Sequence, residues 1–447
     1  MINKHKTTRL TVILSTALML FLTPVGYAQG FEFEEFQSIP TQGAHDLEYF
    51  TIGSDHYLAV AQRGNDNSKL YRWNGTSFVE YQSIPTQGQG ADEWKFFTIG
   101  TDHYLAVANW NNGSHNLNSK IYRWNGASFI EYQSIPTQGA YDWEFFTIGT
   151  DHYLAVANYL NDSTYNISSK LYRWNGASFI EYQSIPTVGA NDWEFFTIGT
   201  DHYLAVANYG SDSTNNINSK LYLWNGASFV EYQSFPTHGA GNWKFFTIGT
   251  DHYLAVANQY NDSTYNINSK LYRWNGASFI EYQSIPTQGA YDWEFFTIGT
   301  DHYLAVANYR NDSTRNINSK LYRWNGASFI EYQSIPTVGA SDWEFFTIGT
   351  DHYLAVANYH NDSTYNISSK IYRYGRSQYE EAYQAGRKAC IDNPASCGIP
   401  TGVATFDITS NVLHIPNYEN TYWLKFGLTS WEPVQLQLQS FGEIGSE

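Results

Sequence analysis

The sequence predicts an all-β chain: a seven-bladed β-propeller of four-stranded blades whose N-terminal strand closes the last blade, plus a small C-terminal β-rich module with one helix. Three observations predict it. A stem reading QSIPT or QSFPT begins at Gln37, Gln82, Gln133, Gln183, Gln233, Gln283 and Gln333, with DHYLAVA after it in each copy. A repeat of 20 to 50 residues marks a solenoid, propeller or array. Within a copy the apolar residues alternate with period two, and the two ends of the repeat region have complementary defects.

Each copy yields four strands in order. DWEFFTIG, HYLAVAN, SKLYRW and SFIEYQSI are runs of β-branched and aromatic residues bounded by Gly, Asn, Asp, Ser and Pro, the mark of strands A, B, C and D. GTD joins A to B, and Asn-Gly joins C to D, the pair that a type I′ hairpin turn with two positive φ angles prefers. One such sheet, apolar on both faces, is not stable alone. Packing seven around an axis covers those faces. A linear β-solenoid is the alternative, but it has no use for closure.

Closure is legible at the ends. FEFEEFQSIPT, at the start of the repeat region, aligns with SFIEYQSIPT elsewhere, so Phe33 to Ile39 is a D strand with no A, B or C before it. The last C strand, KIYRY, ends at Tyr374 and runs into GRSQYEE without the Asn-Gly turn. The orphan strand fits the missing slot.

Flanking segments complete the organisation. Residues 1–28 read as a secretory signal peptide, with a basic start, an apolar run and a small-residue cleavage site. The expected location is therefore secreted, periplasmic or cell-surface, with no transmembrane segment in the mature chain. Residues 29–376 form the propeller and 377–447 the tail. In the tail, SQYEEAYQAGRKACID has helical spacing, four alternating segments follow, and Cys390 and Cys397 are expected to form a disulfide in an oxidising compartment. A net charge of −17 excludes nucleic acid as a partner, because a polyanion is repelled.

The motifs F-x-x-Y-Q-S-I-P-T-x-G-A, F-F-T-I-G-x-D-x-Y-L-A-V-A-N and Y-R-W-N-G, recurring in the same order over residues 31–376, resemble the EPTP or epilepsy-associated (EAR) repeat of the leucine-rich glioma-inactivated proteins. That resemblance implies a seven-bladed propeller used for extracellular protein binding, with a cation in its channel. The leucine-rich repeats that precede the propeller in those proteins do not occur here, so their receptors do not carry over.

Alternating strand direction puts the D-to-A and B-to-C connections on one face and the tight A-to-B and C-to-D turns on the other. Copies three and six differ only at Leu160 versus Arg310, Tyr165 versus Arg315 and Ser168 versus Asn318, all in the B-to-C loop. That loop also carries Trp110, Tyr159, Tyr209, Tyr260, Tyr309, Tyr359 and His360. Loops on a rigid scaffold commonly bind, and rigid aromatic rings give contact area at small entropy loss. These residues, with Arg310, are the expected ligand-binding set, for an extracellular or cell-surface protein or for a glycan. Drift at solvated positions is the bland alternative.

A second set, Asp46, Glu93, Asp142, Asp192, Asn242, Asp292 and Asp342, opens strand A in successive copies. Converging carboxylates call for protons or a cation, and oxygen-only ligands suit Ca²⁺, so Ca²⁺ in the central channel is the one cofactor expected. Turn capping through the residue's own backbone is the alternative. The Asp-His pair, as at Asp151 and His152, repeats equally in every copy and shows no nucleophile beside it, so a structural bond is expected there and no enzyme activity.

Overall fold

The computed structural model describes residues 10–12, 31–64, 67–86, 90–376, 404–407 and 412–414. Residues 33–374 form one compact unit, a ring of seven four-stranded antiparallel sheets. Blade 3 shows the plan: strands A to D are Ala140–Ile148, Asp151–Asn158, Ser168–Trp174 and Phe179–Pro186. Strand A lines the channel, and each strand A lies against those of the neighbouring blades around the full circle, blade 7 meeting blade 1.

Alternation along strand B explains why blades stack. Tyr153, Ala155 and Ala157 face blade 4, where Trp193, Leu204 and Val206 meet them. Leu154 and Val156 face back toward blade 2. Along strand B one face thus carries two alanines and the other Leu and Val, and the core lies between blades rather than within them. A stacked aromatic pair crosses every interface, from Phe50 on Phe96 at 4.2 Å through to Phe346 on Tyr49 at 4.4 Å.

Blade 7 is built from both ends of the repeat region. Its A, B and C strands are Ala340–Ile348, Asp351–Asn358 and Asn366–Arg376, and its fourth is Phe31–Gln42. Phe33 enters the core shared with blade 6 and Ile39 the core shared with blade 1. Thr41 Oγ1 donates to the Ile367 carbonyl at 2.7 Å, and Lys370 pairs with Glu35 at 2.7 Å. The copy that lacks Trp uses Tyr374, which packs on Phe33 at 5.2 Å and shares a 3.1 Å hydroxyl bond with Tyr303.

The C-to-D connection departs from the type I′ expectation. Trp174 and Phe179 are the last paired residues, which leaves a four-residue loop, and only Gly176 has positive φ, at 97°. Asn175 keeps an ordinary φ because its Oδ1 accepts the N–H groups of Ala177 and Ser178, an Asx turn. The A-to-B turn has Gly149 at φ 63° in its first central position, the demand of a type II′ hairpin.

The second unit comprises residues 1–32 and 375–447. Its described part is a three-stranded sheet in which Leu10–Val12 pairs with Ala404–Asp407, itself paired with Val412–His414. Leu10 to Val12 lies inside the segment expected to be the leader. The expected tail helix and the Cys390 and Cys397 pair lie outside the described residues. Among the described residues no helix is long and apolar enough to cross a membrane.

Candidate functional site: the channel and its mouth

The invariant Gln of the stem serves the ring. Gln183 Nε2 donates to the Phe229 carbonyl at 2.8 Å while its Oε1 accepts the Phe229 N–H at 2.9 Å. A side-chain amide thus replaces one rung of a β-ladder between blades. The same double bond joins every pair, ending with Gln333 on Phe33.

The acidic set does related work on the inner edge. Asp142 Oδ2 accepts the Trp193 N–H at 2.7 Å and Asp192 Oδ2 that of Trp243 at 2.8 Å. Asp46 to Trp94, Glu93 to Trp143, Asn242 to Trp293, Asp292 to Trp343 and Asp342 to Leu47 complete the circle. These side chains bond the next blade's backbone, not their own as turn capping required. Strand A is the inner sheet edge, and carboxylates answer its unpaired N–H groups.

Two residues further along lies a second tier that sequence reasoning missed: Glu48, Lys95, Glu144, Glu194, Lys244, Glu294 and Glu344. Glu48 Oε1 accepts the Phe96 N–H at 2.7 Å and Glu344 Oε1 that of Tyr49 at 3.0 Å. Lys95 and Lys244 each pair at 2.6 Å, with Glu144 and Glu294. The signal was available, since period two puts this position on the same side of the strand.

Eleven acids and two lysines therefore line the two tiers. What surface they expose is channel lumen, and burial dominates their titration. It raises Asp46, Glu93, Asp192, Asp342 and Glu344 well above the usual range, with neighbouring carboxylates adding to the rise. Burial likewise pushes Glu48 and Asp292 up to about 7, Glu194 to about 8 and Asp142 to about 6. Glu93 and Asp142 share a hydrogen bond, the mark of a carboxyl pair holding one proton. The donor chemistry is that of a hard cation, yet among the described residues no three carboxyl or imidazole groups converge closely enough to form a ligand set.

Above the acid tiers, on the face predicted to carry the variable loops, is the channel mouth. The residue after strand B lines it in six blades, as Arg63, Tyr159, Tyr209, Gln259, Tyr309 and Tyr359, and in blade 2 is Trp110. Tyr159, Tyr209, Tyr309, Arg310 and Tyr359 line a cavity of about 210 Å³ there. Trp110 stands behind them, edge-on to Tyr141 at 4.9 Å and Tyr159 at 5.5 Å. His360 packs on Tyr365 at 4.2 Å, away from the cavity lining. Tyr260 also sits outside the lining, against Tyr265 at 4.5 Å, and Gln259 occupies the equivalent place. The expected set takes Tyr260 for blade 5, whereas the neighbouring Gln259 lines the cavity.

Arg63 fills the blade 1 side. Its guanidinium lies 4.7 Å from the Tyr141 ring centre, 5.1 Å from Trp110 and 5.7 Å from Tyr359, and it is paired with the fully buried Asp92. Burial still pushes the Asp92 carboxyl up to about 6, with Arg63 pulling the other way. Tyr291 reaches over from blade 6 to bond His45 Nε2 at 2.9 Å. Burial, followed by the Arg63 charge, holds that imidazole well below its ordinary value and so neutral.

The polar loop tips are clasps. Asp212 accepts from Thr164 Oγ1 at 2.6 Å, the Tyr165 N–H at 2.9 Å and Asn166 Nδ2 at 3.1 Å, all on the preceding blade. Asp162, Asp262, Asp312 and Asp362 likewise each accept a backbone N–H from the preceding blade. The Asp-His pair is also spent structurally: Asp151 pairs with Arg173 at 2.6 Å, and His152 Nδ1 meets Thr147 Oγ1 at 3.0 Å.

The comparisons agree with this architecture. A model of the EPTP domain matches residues 32–74, 77–125, 128–175, 178–225, 228–275, 278–325 and 328–374, about one blade's worth of chain each. A human thrombospondin-type laminin G domain and EAR repeat-containing protein is 40% identical over 115 residues, 24% of this chain and 17% of that protein. Its mouse counterpart is 47% identical over 62 residues, 12% of this chain and 9% of the relative. The chain thus spans well under a fifth of these relatives. Seven successive matches, on seven blades that exchange the same bonds, establish that this chain belongs to the EPTP (EAR-repeat) family.

Proposed function

We propose that the protein is exported and binds an extracellular or cell-surface protein through the loop-rich face. One observation carries this reading: copy-to-copy variation and a cluster of aromatic rings lining a cavity meet at the mouth, while the rest of each blade repeats almost without change. A rigid ring of seven sheets holds that mouth in shape before any partner arrives, which reduces the ordering penalty of binding. Large rings at a partly desolvated centre are the usual energetic anchors of an interface. Binding rather than catalysis fits a channel mouth whose His45 is held by the Tyr291 hydroxyl and the Asp92 carbonyl.

A glycan ligand is the second reading, favoured by the near identity of the loops between blades 3 and 6. The full chain, labelled and applied to arrays of extracellular-matrix proteins and of glycans, separates the two. Selective protein binding lost in Tyr159→Ala and Tyr309→Ala supports the first reading. Multivalent binding to one sugar overturns it.

Calcium in the channel is a separate proposal, supported by the oxygen-only donor set and the crowding of like charge. Chelation followed by Ca²⁺ add-back tests it. A rise in Tm on add-back supports it, and an unchanged melting curve removes it.

A further inference from the structure

Blade 5 departs from its neighbours at two adjoining positions of the mouth. Where blades 3 and 6 open strand A with Tyr141 and Tyr291, blade 5 has Gly241. Where blades 3, 4, 6 and 7 place a tyrosine after strand B, blade 5 has Gln259. No side chain can stand at 241, because a Cβ there would come within 2.5 Å of the Tyr291 carbonyl oxygen. The Tyr291 backbone fills that place, so blade 5 sends no ring into the channel from position 241.

Gln259 is only 5% exposed and lines the cavity of about 210 Å³, and its buried Nε2, which a turn of the amide would bring to the cavity, has no hydrogen-bond partner. Buried amide donors without acceptors are rare in folded proteins because each is unfavourable. An acceptor oxygen arriving through the mouth would relieve it. The walls around that position are the rings of Tyr209, Tyr265 and Tyr309. Arg63, stacked on its own aromatic set, fills the opposite side.

We propose that the blade 5 side of the mouth is a sugar subsite that takes one neutral hexose ring, the terminal residue of a glycan on the partner. Gln259 Nε2 donates to a ring hydroxyl oxygen, and a tyrosine face covers the C–H face of the sugar. Size and charge select this class. The space equals about seven waters, smaller than the pocket of a drug-sized ligand, so it admits one small ring. Arg63 is paired with Asp92, Arg315 with Asp362, and Arg310 lies over the Tyr265 ring, so each guanidinium at the wall is already engaged and none calls for a charged ligand. The proposal rests on the loop-rich face being the recognition surface.

The test titrates the full chain with glucose, galactose and mannose, followed by calorimetry and ligand-observed NMR. Saturable binding of at least one hexose is expected, at about millimolar Kd as befits a single small ring. Gln259→Tyr installs the residue that four other blades use, so it should fold with unchanged Tm and weaken binding roughly tenfold or more. Gln259→Glu keeps the size, removes the donors and should lose binding equally. No saturable binding by any of the three hexoses, or equal binding by Gln259→Tyr, overturns the subsite. Protein-array binding that persists while hexose binding is absent removes only this subsite. Array binding indifferent to Tyr159→Ala and Tyr309→Ala removes the recognition face itself.

Discussion

The walls between blades and the mouth of the channel are made by the same seven copies, yet one region is uniform and the other is not. Every wall must pass the same bonds to the next blade: Gln183 to Phe229, Asp142 to Trp193, Phe146 against Phe195. A change in one copy breaks a bond in another. The residue after strand B stands at the mouth under no side-chain bond common to all seven copies, and Arg63, Trp110, Gln259 and Tyr309 occupy equivalent places there. Uniformity here records mechanical obligation, and variety gathers where no such obligation is shared.

Breaking the wall where the ring is sealed should have the largest effect. Deleting residues 31–40 removes Phe33 and Ile39 from two cores, and at roughly 1.5–3 kcal/mol for each buried side chain the loss should reach several kcal/mol once the severed hydrogen bonds are added. Denaturant unfolding measures it, and an unchanged midpoint would refute closure. Next comes Trp193→Ala, an indole between Ala155 and Leu204, expected to cost about 3–5 kcal/mol as a large core truncation. Gln183→Ala, which loses both bonds to Phe229, should cost about 1–3 kcal/mol.

The channel sharpens the comparison through pH. Its carboxyls have folded pKa values raised above their unfolded ones, Glu194 to about 8 and Glu48 and Asp292 to about 7. The native state therefore binds the extra protons. Their contribution is fully present below the unfolded pKa of about 4 and is lost as pH rises through the folded values. In chelator, Tm should fall between pH 5 and pH 8.5. Lys244→Met, which removes the cation that lowers Glu194 and Asp292, should steepen the fall. A flat profile would mean that the channel charge is neutralised otherwise.

The smallest effect belongs to the exposed clasps. Asp212→Asn should leave global unfolding unchanged while speeding hydrogen exchange at the Tyr165 N–H, which the carboxylate now accepts at 2.9 Å. Protection at Tyr165 equal to wild type would show that the clasp does not hold the loop.

Closure, the blade count and the sorting of loops to faces were legible because period-two patterning and the orphaned Phe33 strand are local signals. The bonds of Gln183 were not, since their acceptor lies 46 residues away on another sheet. Asp142 and its equivalents are legible as a ring, but the N–H groups they accept are not, because each lies on the next blade, as with Trp193, 51 residues further on. At the mouth, reading by residue type favoured Tyr260, whereas position in the loop selects Gln259.

Sealing the ring with its own first strand also imposes an order on biosynthesis. Glu35 emerges from the ribosome 335 residues before Lys370, the lysine it will pair with, an interval of roughly 17–67 s at ordinary translation rates. Throughout that wait Phe33 and Ile39 have no finished slot, while six look-alike hairpins form nearby. Each of those hairpins already owns an outer strand through its Asn-Gly loop. Only the final sheet arrives with a vacancy, so the loss of that dipeptide at the end of the repeats directs the waiting segment to a single destination.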